Sequence, residues 1–380
     1  MAVRIAWLNW RDTSHPEGGG SEVFLERIAS GLAARGHQVT IVCAEHERAP
    51  DGEIRDGVRF RRLGSKLGVY GQARRLLRSG ELGPLDVVVD TQNGVPFFST
   101  FATSAPVVVL VHHVHREQWP VIYGPVRSRA GWLLESRVAP WVYRNRQYVA
   151  VSSTTRDELA GLGVDPTRIR LVHNGVSAHD AGPVQPERMA PQPTVTVLGR
   201  LVPHKQVEHV LHAARRLRVE IPDLRVLVVG DGWWAPHLLD LSRSWDLDDV
   251  VTFTGYVDDA TRDRLLRESW VLALPSLKEG WGLVVMEAAA RGVPAIAYEQ
   301  AGGVSESIQH GRTGLLVGPG YDVDAFTGAL RRLLTDRAQR DDLGRRAHER
   351  AANFDWEQST DAFEAVLVSA VGASAQRVRP

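Results

Sequence analysis

Glu279 and Glu287 are two carboxylates with seven residues between them, in Glu279-Gly280-Trp281-Gly282-Leu283-Val284-Val285-Met286-Glu287. The segment follows the apolar run Trp270–Ser276 and leads into Ala288-Ala289-Ala290-Arg291-Gly292. The order is therefore strand, small-residue loop, helix, with one acid in the loop and one on the helix. The first N–H groups of a helix are unpaired and carry partial positive charge, which suits a phosphate. Gly280, Trp281, Gly282 and Leu283 would then border a diphosphate, with Glu279 facing a sugar and Glu287 a ribose. Alone, two such acids are a helix cap and a solvated surface group, so the remaining motifs decide.

Gly199-Arg200-Leu201-Val202-Pro203-His204-Lys205 follows another apolar run, Thr194–Leu198. Arginine forks two phosphate oxygens and lysine adds a point charge, so Arg200 and Lys205 can clamp a diphosphate. Gly230-Asp231-Gly232 and Phe253-Thr254-Gly255-Tyr256-Val257 also follow strands. Glu17-Gly18-Gly19-Gly20-Ser21-Glu22 joins the first strand to the first helix. It is neither the dinucleotide fingerprint nor a P-loop. His112, His113 and His115 follow Val107–Val111, and no acid at a fitting spacing completes a zinc site with them. Asp246-Leu247-Asp248 has the form of a D-x-D metal motif but lies in a polar stretch before a strand and reads as a turn. No metal site is expected.

Elements must hold these groups in place. Val3–Leu8, Val39–Ala44, Val87–Asp90, Val107–Val111, Tyr148–Ser152 and Ile169–Val172 read as strands of one parallel sheet, because near-continuous apolar runs suit strands covered on both faces. Val23, Phe24, Ile28 and Leu32 mark one face of a helix over 21–35, ended by Gly36. Residues 181–193 carry four prolines in thirteen residues and read as a linker. Alternation restarts with Thr194–Leu198, Leu224–Val229, Val250–Thr254, Val271–Leu274, Ala295–Ala297 and Gly314–Val317. The expected fold is α/β: two tandem Rossmann-like, doubly wound domains facing a cleft, 1–180 and 194–359, with a closing helix over 360–380 packed back on the first. The motifs all fall at strand-to-helix junctions, where such sheets bind ligands.

In this order the motifs resemble those of the retaining nucleotide-sugar glycosyltransferases of family 4, which have the GT-B fold. E-x7-E and G-R-x4-K together carry the resemblance, which covers nearly the whole chain. It implies that Arg200 and Lys205 neutralise the leaving diphosphate and that Glu279 serves the donor sugar. Counting from Pro106, His112 matches the family's sugar-contacting histidine, with His113 as the alternative one residue on. Gly19 and Gly20 match the glycine-rich loop of the first domain. Gly232, Tyr256 and Val257 match the nucleotide-side loops, and Glu287 the ribose ligand. His173-Asn174-Gly175-Val176 and Asn353-Phe354-Asp355-Trp356 match interdomain elements. The implied reaction moves a hexose from a GDP- or UDP-sugar to a hydroxyl acceptor, a sugar or a lipid-linked or cell-envelope glycan precursor. It proceeds with retention and without metal or cofactor, the phosphate oxygen taking the acceptor proton. A nucleotide-sugar epimerase or hydrolase of the same architecture and a non-catalytic two-domain sugar-binding protein are the other readings.

Composition limits the partners. One cysteine, Cys43, in an apolar run leaves no disulfide framework and favours a reducing compartment. No apolar run reaches the roughly 18 residues of a membrane span, and the N-terminus reads as a strand and not a signal peptide, so the expected location is the cytoplasm. Net charge is zero, with 22 Lys+Arg against 18 Asp+Glu up to residue 185 (+4) and 23 against 27 after it (−4). Nucleic acid is not an expected partner. Two stretches interleave basic and apolar residues: 59–78, and 127–146 with Trp132, Trp141 and a single acid, Glu135. They are expected to touch an anionic membrane surface from the cytoplasmic side.

Overall fold

The computed structural model describes residues 2–176 and 189–378, so residues 181–188 of the proline-rich stretch lie outside it. Contacts divide the chain into two units, residues 1–175 with 356–380, and residues 176–355.

The first unit is built on an eight-stranded sheet in the order β3-β4-β2-β1-β5-β6-β7-β8. Its strands are β1 Arg4–Leu8, β2 Gln38–Cys43, β3 Gly52–Arg55, β4 Val58–Arg62, β5 Val87–Gln92, β6 Val107–Val111, β7 Gln147–Ala150 and β8 Ile169–Leu171. The sheet is not wholly parallel: β3 runs antiparallel to β4. Asp56 and Gly57 turn the hairpin with φ of 50° and 77°, the paired positive values that an Asp-Gly turn accepts. The helix Gly20–Ala34 buries Phe24, Leu25, Ile28, Ala29 and Leu32. The last helix, Trp356–Val378, packs on it and on β1, with Phe363 stacked on Trp7 at 4.8 Å. A Cβ on Gly31 would lie 2.6 Å from Thr360 Oγ1, so the helices meet at glycine.

The apolar residues of the basic stretch 59–78 are mostly core, while Arg59, Arg75 and Arg78 are exposed. Val58, Phe60 and Arg62 point inward from β4, and the helix Gly68–Ser79 buries Val69, Ala73, Leu76 and Leu77 in the core. Arg62 is spent on Asp12 and Glu53, each at 2.6 Å, and Lys66 on Glu17 at 2.8 Å. The apolar half of the pattern was core periodicity.

The second unit carries a six-stranded parallel sheet in the order β11-β10-β9-β12-β13-β14. The strands are β9 Thr194–Leu198, β10 Arg225–Val229, β11 Val251–Gly255, β12 Val271–Leu274, β13 Ala295–Tyr298 and β14 Gly314–Val317. Apart from the edge strand β11, their residues are buried almost throughout, as a sheet covered on both faces requires. Chain progression reverses between β9 and β12. Loops leaving two such strands diverge and leave a crevice at their carboxyl ends, the switch point where doubly wound sheets take ligands. The loop after β9 carries Arg200 and Lys205, and the loop after β12 carries Glu279.

Candidate functional site

Backbone hydrogen bonds hold the loop after β9. Gly199 N–H donates to Val229 O (3.0 Å), Leu201 N–H to Asp231 O (2.9 Å) and Trp234 N–H to Leu201 O (3.1 Å). Gly230 and Gly232 have no room for a side chain: an added Cβ would stand 2.0 Å from Gly199 O and 2.2 Å from Leu201 O. Gly232 thus lets the two loops pack backbone to backbone. Pro203–Lys205 form one 3-10 turn, and Gln206 closes it in the left-handed region at φ 48°. Lys205 Nζ then lies 2.5 Å from Glu279 Oε1, with both side chains mostly buried.

Glu279 is fixed from the other side. Its N–H donates to Ala301 O (2.7 Å), its carbonyl accepts from Gly303 N–H (3.1 Å), and Leu277 N–H donates to His204 O (2.8 Å), tying the two loops together. Arg200, Lys205, Pro275 and Ser276 line one narrow pocket between the ends of β9 and β12. The stretch 280–283 is less open than the sequence implies. Trp281 is 2% exposed with its ring 5.1 Å from Phe354, and Leu283 is buried, so only backbone can face a ligand there. Gly282 takes φ 84°, and the helix that follows is short, Leu283–Ala289. Glu287 lies on that helix with Arg262 at 3.9 Å. Tyr256, beyond β11, is 77% exposed, whereas Val257 packs on the core.

In the first unit, Gly19 caps the helix Gly20–Ala34, its N–H donating to Glu22 Oε2 at 2.8 Å. Gly20 opens the helix, and a Cβ on Gly18 would crowd the carbonyls of Asp12, Thr13 and His15 at 2.9–3.0 Å. Glu22 is buried and pairs with Arg11 at 2.9 Å. His112 closes β6 in the core, edge-on to Phe24 at 5.4 Å, and its carbonyl accepts from Thr155 Oγ1 at 3.0 Å. Burial pushes its imidazole down to about 4, and its Nε2 has no hydrogen-bond partner among the described residues. It is a neutral ring at neutral pH. His113 is half-buried, its Nε2 3.1 Å from Gln118 Oε1.

Asp12 and Glu135 are buried carboxylates that the sequence did not mark as such. Asp12 accepts from Arg62 Nε (2.6 Å), His15 N–H (2.9 Å) and Ser14 Oγ (2.8 Å), and lies 3.1 Å from His46 Nε2. Burial alone would raise its carboxyl, but Ser14 and Arg62 outweigh that and hold it below the usual range. Glu135 accepts from His115 N–H (3.0 Å) and Trp119 Nε1 (2.6 Å), with His115 Nδ1 at 2.9 Å. It sits in a π-helical turn, Leu134–Val138, which rotates it inward. In sequence it is only the one acid of a basic stretch.

Residues 18–180 match the family described as Glycosyltransferase Family 4, and residues 184–350 match Glycosyl transferases group 1. The chain is 30% identical to the D-inositol 3-phosphate glycosyltransferase of Kineococcus radiotolerans over 93% of this chain and 91% of that one. It is 34% identical to the enzyme of that name from Gordonia bronchialis, where the match spans 57% of this chain and 50% of the relative. The chain thus spans about half the length of the first such relatives it matches. Among solved structures it resembles the sucrose-phosphate synthase of Thermosynechococcus elongatus, with TM-score 0.83, 22% identity and coverage of 98% and 100%. It also resembles Anabaena HepE in complex with UDP-glucose, with TM-score 0.76, 18% identity and coverage of 97% and 100%.

Proposed function

The chain belongs to glycosyltransferase family 4, with the two Rossmann-like domains of a GT-B fold, and from that premise we propose that it moves a hexose from a GDP- or UDP-sugar to a hydroxyl acceptor with retention of configuration. The observation that carries this reading is the gathering of Arg200, Lys205 and Glu279 at the switch point of the second sheet. As the glycosidic bond breaks, negative charge grows on the diphosphate. Cations already fixed by the surrounding backbone stabilise that charge without reorganising. Arg200 forks the phosphate oxygens and Lys205 adds its charge from the Glu279 pair. Glu279 orients the ammonium and offers its second oxygen to a sugar hydroxyl. Glu287 serves the ribose, and the backbone of Tyr256 and Val257 serves the base. Arg200 and Lys205 put fixed positive charge beside the diphosphate, so transfer is read as metal-independent. The relatives named as inositol-phosphate glycosyltransferases support a polyol or sugar hydroxyl as acceptor.

A thermal-shift panel of UDP, GDP, ADP and CDP in EDTA tests the donor reading. A ligand at a hundred times its Kd stabilises the folded state by about 2.7 kcal/mol. At least one of the four raises the unfolding temperature by several degrees; no shift with any of them removes the reading's support.

A second reading concerns the acceptor and rests on exposed side chains. Val121, Ile122, Tyr123, Val126 and Leu133 are exposed, and so is Trp141 at 65%. Arg127, Arg129, Arg137 and Arg144 are exposed among them, while Glu135, the stretch's one acid, is buried. This surface matches an anionic leaflet, at about 1 kcal/mol per cation, and favours a lipid-linked acceptor. Wild-type protein is expected to pellet with anionic vesicles at low salt, less at high salt, and less again as Arg137→Glu with Trp141→Ser. Protein that stays in the supernatant at low salt points to a soluble acceptor. No helix among the described residues is long and apolar enough to cross a membrane.

A further inference from the structure

We infer that the hydroxyl of Ser276 is a third phosphate-directed group of the second unit, donating to one oxygen of the bound diphosphate beside Arg200 and Lys205. The inference rests on the donor reading above and adds a residue to it. Ser276 lies just past the end of β12, on the loop that leads to Glu279, and is 0% exposed. Its Oγ has no hydrogen-bond partner among the described residues. Buried hydroxyls are nearly always bonded, because leaving one unpaired forfeits its hydration with nothing in return. This unit follows that rule elsewhere. Thr196 Oγ1 pairs with Ser269 Oγ at 2.6 Å, Ser269 Oγ also donates to Leu265 O, and Ser307 Oγ donates to Val304 O at 3.1 Å. Among the hydroxyls of the described residues of this unit Ser276 is the exception, and it lines the pocket that Arg200 and Lys205 line.

The chemistry of the three groups names what completes the hydroxyl. Guanidinium and ammonium only donate, and the Ser276 hydroxyl has a proton to give. An oxygen with several lone pairs accepts that proton and is drawn by the two cations beside it. The pocket is too narrow for a whole phosphate, so a single phosphate oxygen is the part that enters. Its place at the switch point, opposite the backbone of Gly199, puts that oxygen on the diphosphate and not on the base.

Ser276→Ala in the full chain tests this by calorimetric titration with UDP, GDP and pyrophosphate, alongside the unfolding temperature without ligand. Losing a hydroxyl that has no partner leaves the ligand-free unfolding temperature unchanged or higher. Losing a hydrogen bond to a charged oxygen weakens binding of the preferred nucleoside diphosphate and of pyrophosphate by about tenfold each. Wild-type affinity in the variant overturns the inference and leaves the donor reading standing. So does a fall in unfolding temperature with affinity unchanged, which makes Ser276 structural. A wild-type chain that binds none of the three removes the donor reading, and the inference with it.

Discussion

Arg200→Ala is expected to lower kcat by about 10²–10³-fold, the scale set by removing one fixed donor of about 3–4 kcal/mol from developing charge. The loss should fall mainly on kcat, because the diphosphate gains charge as the bond breaks and the fork is strongest there. Folding should be little changed. The loop keeps the Gly199, Leu201 and Trp234 backbone bonds whatever side chain stands at 200. Arg200→Lys keeps the charge but loses the fork, so it should recover only part of the rate. Single-turnover rates with matched unfolding temperatures make the comparison. Normal turnover in a folded Arg200→Ala chain contradicts the phosphate role.

Stability should fall as pH drops from 6.5 toward 4, by about 2 kcal/mol at pH 5. The cause is His112, whose imidazole is pushed down to about 4 by burial. Below the unfolded value of 6.5 the unfolded chain takes up a proton that the folded chain refuses, at 1.36 kcal/mol per pH unit. The contribution is intact above pH 6.5, is lost through that window, and stops changing below about 4. Burial also pushes His15 and His209 down, in the same direction. Most carboxylates are ionised in both states above pH 5, so the histidines dominate there. Urea unfolding of wild type and His112→Leu at pH 7 and pH 5 separates the terms. The substitution should shrink the pH 7-to-5 difference by most of that 2 kcal/mol in the transition of the first unit. An undiminished difference means the imidazole accepts its proton when folded.

Most strands were legible because parallel strands buried on both faces print as apolar runs, and Val107–Val111 and Val271–Leu274 could hardly read otherwise; β4, Val58–Arg62, read instead as part of a basic stretch. The antiparallel β3 was missed although Asp56-Gly57 announced it, because Gly52–Arg55 has no apolar run and sits at an edge. At the site, Arg200, Lys205 and Glu279 were readable as types and spacing. Their assembly depended on the close backbone approach at Gly230 and Gly232, which no pattern of side chains encodes. Charge was the least legible layer. Arg62 looked like one cation of a surface patch, yet it is buried against Asp12 fifty positions earlier, and Ser276 carried no signal until its hydroxyl proved unpaired.

The most direct test of the account follows UDP-glucose and GDP-mannose by proton NMR in excess EDTA. Nucleoside diphosphate should be released from one of them, at least slowly to water, with the sugar anomer first released in the configuration of the donor. The rate should be unaffected by EDTA and strongly reduced in Arg200→Ala. An inverted anomer, or release abolished by EDTA and restored by magnesium, contradicts the account, as does a folded protein that leaves both donors intact.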